Sequence, residues 1–189
     1  YAVVAISLLP QIYIVYVSFR NSKMGVFQEG YSLANYKAAL NKLLLRATGN
    51  TVVMGVIALA AIILLAIMIS YLVVRRPNFI NHSIDTISMM PYIMPGSVIA
   101  IALVIGFGKK PLVLTGTLAI MIIAVIIRRL PYTTRSATAT LIQIPLSIEE
   151  ASISLGASKM KTFFRITVPM MSSGIISGAI LSWVSIVTE

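Results

Sequence analysis

Val52–Val74 reads VVMGVIALAAIILLAIMISYLVV, an apolar stretch without a single charge. Roughly 20 such residues wound as a helix span the ~30 Å hydrocarbon layer of a bilayer, and the helix satisfies its own backbone hydrogen bonds there. A barrel strand would alternate apolar and polar residues over ~10 positions, which this stretch does not do. The charge-free runs Tyr1–Phe19, Thr86–Gly108 and Ile166–Thr188 have comparable length, and a shorter one covers Pro111–Ile127. The composition agrees. Of 189 residues, 58% are hydrophobic and 11% charged, against about 45–50% and about 25% in a soluble globular domain. The sequence predicts an all-α polytopic membrane protein with about five transmembrane helices.

The formal net charge of +10 would suggest nucleic acid in a soluble chain. Here the Lys and Arg residues lie between the apolar runs, where they meet lipid headgroups and set topology. No basic tract interleaved with aromatics occurs, so nucleic acid is excluded as a partner and membrane lipid retained. With no Cys there is no disulfide or thiolate metal site, and the single His82 cannot build a metal cluster, so no metal site is expected. Counting Lys and Arg on either side of the runs gives eight against seven, which leaves orientation open. The chain opens at Tyr1 inside an apolar run and closes at Glu189 with another still in progress. Residues 1–189 are therefore expected to be a single truncated transmembrane domain of a longer protein.

Pro10 and Gln11 sit mid-way in the first helix, about 1–19, where a packed kink is the simplest expectation. Residues 20–46 form a polar loop with turns at Gly25 and Gly30 and a short amphipathic piece over Ser32–Tyr36. The second helix is placed at about 49–74, with Asn50 or Thr51 able to cap it and Arg75-Arg76-Pro77 to stop it. The third, about 84–107, contains Pro91 and Pro95. Pro95 has no donor and clashes with the carbonyl of Pro91, so a bend or unwound turn is expected at Pro91–Gly96, serving either a substrate path or packing. The fourth, from about 117 towards 142, meets Arg128, Arg129 and Arg135, so its second half is expected to leave the hydrocarbon. Gly174-xxx-Gly178 in the last run permits close helix approach.

The stretch Ile144–Pro169, IPLSIEEASISLGASKMKTFFRITVP, lies between the last two apolar runs. Ser147-Ile-Glu-Glu150 has the S-x-x-E form of a capping box and predicts a helix from Ile148. Ile148, Ala151, Ser152 and Leu155 share one face of it, and Gly156 supplies the left-handed residue that ends it. A second short helix over Ala157–Ile166 carries Met160, Phe163 and Phe164 on one side and is expected to stop at Pro169. Two stubby helices joined at a glycine between membrane spans form a rigid knob.

Glu150-Ala151-Ser152, then Gly156, then Ile166-Thr-Val-Pro169 resembles the E-A-A, three residues, G, nine residues, I-x-L-P signature of ATP-binding-cassette importer permeases. Ser152 replaces the second Ala and Val168 the Leu, with the spacing kept. Leu33-Ala-Asn35-Tyr36, Asn50-Thr51, Pro91 to Gly96, Leu130-Pro131-Tyr132 with Arg135, and Leu155-Gly156-Ala157-Ser158 are similar as well, so the resemblance covers nearly the whole chain. It implies a type I importer permease core of five helices in a bacterial cytoplasmic membrane. In such a core the coupling loop, 144–169, faces the cytoplasm and docks on an ATPase dimer. Ser147, Glu149, Glu150, Ala151, Leu155, Gly156 and Ala157 are then the ATPase-coupling residues. It further implies a second permease domain, as a homodimer or a fused half, and a periplasmic or lipid-anchored substrate-binding protein. Pro91, Tyr92, Pro95, Gly96 and Glu189 are the candidate translocation-path residues. Glu189 would either meet a cation or make an interhelical hydrogen bond. Leu-Ala-Asn-Tyr, the Pro-rich third helix and the Val187-Thr-Glu189 ending most resemble iron(III) permeases, and phosphonate or sugar-phosphate permeases look similar.

The chain lacks a phosphate loop: its only Gly-Lys, Gly108-Lys109, is followed by Lys110, and Leu103 stands where the first Gly belongs. No cofactor is expected on this chain, and ATP and Mg belong to the partner ATPase. Without H-E-x-x-H, paired aspartates or a Ser–His arrangement, a membrane enzyme is not supported. An ion-coupled secondary transporter or a channel is the rival class, but coupling ions demand intramembrane carboxylates, and Glu189 is the one candidate.

Overall fold

The computed structural model describes residues 2–23, 26–40 and 42–188. Its backbone divides into two compact units, residues 1–50 and 51–189.

In the first unit, helix α1 (Ala2–Ser18) runs through Pro10 and is followed by an antiparallel hairpin, β1 (Arg20–Lys23) and β2 (Val26–Tyr31), and by the short helix α2 (Ala34–Ala39). The hairpin is a correction to the expected polar loop. Ser22 pairs with Phe27, Gly30 adopts φ +102°, and Gly25 lies outside the described residues. Asn35 explains why the chain closes here. Its side-chain amide donates to the carbonyl of Ser18 (3.0 Å), which the end of α1 leaves open, and to that of Arg20 (2.8 Å) at the start of β1. The Tyr36 hydroxyl is hydrogen-bonded to that of Ser18 at 2.7 Å.

Helix α3 (Lys42–Arg75) begins seven residues before the expected start at 49, so Asn50 and Thr51 are interior and cap nothing. Hydropathy marks where a helix enters hydrocarbon, and a helix can continue into the polar layer beyond it. Helix α4 (Phe79–Ile93) likewise begins before residue 84, because the Asn78 side chain accepts from the Asn81 amide at 2.7 Å and caps it. The expected irregular turn is present. Met94, pushed to extended backbone by the following proline, ends α4, and α5 (Gly96–Gly106) leaves at 113° to it.

Helix α6 (Leu118–Gln143) is the centre of the second unit. Its second half does not project outward as expected. Pro131, Thr133, Thr134, Ala137, Thr138 and Leu141 are buried there, against α10 (Ser172–Val187). The approach is set by Gly178 and Gly174: a Cβ on Gly178 would lie 2.6 Å from Thr133 Cα, and one on Gly174 would overlap the Thr140 hydroxyl. Hydroxyl pairs stitch the same seam, Thr133 with Ser182 at 2.9 Å and Ser136 with Ser177 at 2.8 Å. Helix α3 completes the core, with Ala58 and Ile62 packed against Ile186 of α10 at one end and Ile63, Ile67 and Tyr71 around Leu141 and Met171 at the other. Large apolar side chains such as Leu64, Ile105 and Ile180 point outward while Ser70, Thr133, Thr167 and Ser182 are buried, the arrangement of helices that pack through small and polar residues in lipid.

Among the described residues, Leu44–Arg75 alone is long and apolar enough to cross a membrane as one helix. The bent pairs α4 with α5, and Lys159–Met170 with Ser172–Val187, pass the same test together.

Between α6 and α10 the chain forms α7 (Leu146–Ser154), α8 (Lys159–Thr162), a π-helical turn (Phe163–Thr167) and α9 (Val168–Met170). The expected stop at Pro169 is corrected. Val168 N–H bonds the carbonyl of Phe163, five residues back, and this wide turn carries the helix past Pro169 to a 63° bend at Met171.

Candidate functional site

Ile144, held extended by the proline that comes after it, ends α6, and Pro145 stands at the N-cap of α7. Because α7 starts at Leu146, Ser147 and Glu150 lie inside the helix and the expected capping box does not form. Ile148, Ala151, Ser152 and Leu155 share one face as expected, lining a common groove, and that face is largely open. Leu155 is 90% exposed and Ala151 exposed, Ile148 and Ser152 are half-buried, and Glu149 is the buried residue.

Glu149 is held by Arg75, the last residue of α3. Arg75 Nε donates to Glu149 Oε1 at 2.7 Å, and Arg75 Nη2 donates to the carbonyl of Ile144 at 2.8 Å. The two side chains are 9% and 7% exposed. Removing one partner of such a pair leaves an uncompensated buried charge, at a cost of about 3–5 kcal/mol. The Tyr71 hydroxyl points at Glu149 Oε2 from 3.5 Å, and its ring meets that of Phe163 edge-on with centroids 4.8 Å apart.

The far end of α7 closes as expected. Gly156 has φ +88°, its N–H bonds the carbonyl of Ile153 at 2.9 Å, and Ala157 N–H bonds that of Ser152 at 3.1 Å, the paired bonds of a Schellman end. Ser158 then caps α8 by accepting from the Lys161 amide, and the hydroxyls of Ser152 and Thr162 are hydrogen-bonded at 2.9 Å across the joint. Ser147, Glu150, Ala151, Leu155 and Gly156 are left exposed on a tied-down knob, with Ala157 half-buried. A groove of about 390 Å³ runs along Ile148, Ala151, Leu155, Gly156 and Lys161.

The predicted path residues separate. Tyr92 lines a cleft of about 740 Å³ between α4, α6 and α10, stacked edge-on to Tyr132 at 5.7 Å. Pro91, Pro95 and Gly96 do not line it. Pro91 is inside α4, and Gly96 makes room at the helix break for the Arg128 guanidinium, 3.0 Å from where a Cβ would stand. Glu189 lies outside the described residues. The cleft also holds Asp85 and Met89, which sequence reading missed, and Arg135, which it noted as a charge on the fourth helix and in the family resemblance but not as a site residue. Arg135 Nη1 is 3.4 Å from Asp85 Oδ2 and its Nε donates to Met89 Sδ at 3.1 Å, while Asp85 Oδ1 is buried with no hydrogen-bond partner. The available signal was scarcity. The chain has only five acidic residues, and an acid at the start of a charge-free run in such a chain needs a partner on another helix.

A helical bundle that packs through small, hydroxyl and a few apolar residues and turns most of its large apolar side chains outward is the architecture of a polytopic membrane protein. Residues 62–189 match the family described as binding-protein-dependent transport system inner membrane component, and the chain belongs to that family. The ferric transport system permease protein FbpB of Actinobacillus pleuropneumoniae is 32% identical over 139 residues, covering 74% of this chain and 20% of that protein. The molybdate/tungstate permease WtpB of Pyrococcus furiosus is 27% identical over 168 residues (86% and 64%), and the putrescine permease PotI of Escherichia coli 28% over 185 residues (92% and 64%). The chain thus spans about a fifth of the length of the ferric permease relatives it matches. A crystal structure of a bacterial ABC transporter that imports alginate shares the fold, with a TM-score of 0.68 and 17% identity over 95% of this chain and 71% of that one.

Proposed function

We propose that this chain is the membrane-spanning part of an ATP-driven importer whose energy enters through the knob at residues 146–162. The carrying observation is the knob itself. Ser147, Glu150, Ala151, Leu155 and Gly156 are exposed on a segment whose one buried charge is neutralised by the core. An apolar groove beside a bare leucine is a surface that a partner covers. The partner is a cytoplasmic ATPase dimer carrying ATP and Mg, and a second permease domain and a substrate-binding protein complete the assembly.

For the solute, we favour iron(III), on the names of the relatives at 32 and 33% identity. The molybdate/tungstate and putrescine relatives make another small solute the alternative. The test is reconstitution of the complete transporter in vesicles. Iron(III) uptake that requires ATP and the binding protein, together with a disulfide between Leu155→Cys and a cysteine on the ATPase surface, is the expected result. Uptake driven by a proton or sodium gradient without the ATPase would overturn the reading in favour of a secondary transporter.

A further inference from the structure

We infer that Arg75 is a positioning residue for energy coupling: its guanidinium spans the joint between α6 and α7 and ties both to the end of α3. This rests on the reading of the knob as the ATPase dock. The joint is otherwise a single extended residue, Ile144, next to Pro145. A knob pushed from outside could pivot there without moving the bundle. Arg75 closes that freedom because one rigid fork holds a group on each side of the pivot, the Ile144 carbonyl before it and Glu149 after it. The Ile144 carbonyl is available because the helix has just ended and its own amide partner is gone. Arg75 lies 74 residues from Glu149 in sequence, so the tie brings in a helix with no short covalent link to the knob.

The tie continues into the cleft. The side-chain amide of Asn81, on α4, donates to the carbonyls of Arg76 (2.6 Å) and Leu72 (3.3 Å), so the start of α4 is fastened to the same end of α3. One turn further along α4, Asp85 faces Arg135 of α6 in the cleft wall. A displacement of α7 is therefore carried through Arg75 to α3 and through Asn81 to α4.

Lysine tests this better than removal, because an ammonium keeps the buried charge but cannot present the two diverging N–H bonds of the fork. The assembled transporter in vesicles is assayed for ATP hydrolysis, solute uptake and the Leu155→Cys disulfide to the ATPase. Arg75→Lys and Glu149→Gln should retain the disulfide while the ratio of uptake to hydrolysis falls at least tenfold. An unchanged ratio, or uptake and hydrolysis falling together in Arg75→Lys, would reduce the pair to a fold-holding contact and overturn the inference. A wild-type protein that forms no disulfide with the ATPase would overturn the docking reading, and the inference with it.

Discussion

Two glycines illustrate opposite uses of the missing side chain. At Gly156 a Cβ would meet nothing within 4 Å, yet the backbone sits at φ +88°. At Gly178 the backbone is helical and the obstacle is Thr133 Cα, 2.6 Å from a Cβ. The first is a torsional requirement costing about 1–2 kcal/mol for an ordinary side chain, the second a volume requirement of about 1–3 kcal/mol. Asparagine enters the left-handed region readily and so separates them. Gly156→Asn should support nearly normal uptake where Gly156→Val does not, whereas Gly178→Asn and Gly178→Val should both lower the melting temperature of the detergent-solubilised protein. Equal damage from Gly156→Asn and Gly156→Val would mean that a partner packs against that glycine. Both positions were legible in sequence, one as a helix stop and the other as a small-residue spacing. The adjacent pair Glu149 and Glu150 was not. Neighbours on a helix point about 100° apart, and which one turns inward depends on an arginine 74 residues away.

At the scale of elements, charge-free runs marked where apolar helices lie but misplaced their ends, because hydrocarbon thickness and helix length are separate quantities. Helix α3 starts at Lys42 and α4 at Phe79, ahead of their apolar runs. The hairpin at Arg20–Tyr31 escaped for another reason: all six residues of β2 are exposed, so no face is buried and no alternation is imposed. The break between α4 and α5 was legible, since proline acts on its own backbone and on the residue before it. If the 113° turn is held by Pro95, Pro95→Ala restores a donor and frees Met94 to become helical. Spin labels at Ile87→Cys and Ile105→Cys, both on exposed positions, should then move apart toward the ~27 Å of a straight helix of that length. An unchanged distance would show that Arg128 seated against Gly96 keeps the break open.

For the whole molecule, the likeness in fold to a transporter only 17% identical fits a core specified by pattern more than by residue identity. Glycine, serine and threonine share the interior with a few apolar residues such as Ile62, Leu141 and Ile186, while most large apolar side chains face outward, a pattern many sequences satisfy. The π-turn at Phe163–Thr167 has its consequence at this scale. An α-helix advances 100° per residue, so a turn that takes in one residue too many stores a rotation of about that size between the segments on its two sides. Here the knob lies on the N-terminal side and α10 on the C-terminal side. The heading of the knob around the bundle is thus written as a residue count, like one tooth on a gear. Deleting Arg165, which is exposed, should let the turn relax into α-helix and swing Leu155 about a quarter-turn away from the proposed ATPase dock. The protein would still insert and fold, but the Leu155→Cys disulfide to the ATPase would be lost. Retention of that disulfide in the deletion variant would show that Arg75 and Ser152 hold the heading whatever the count.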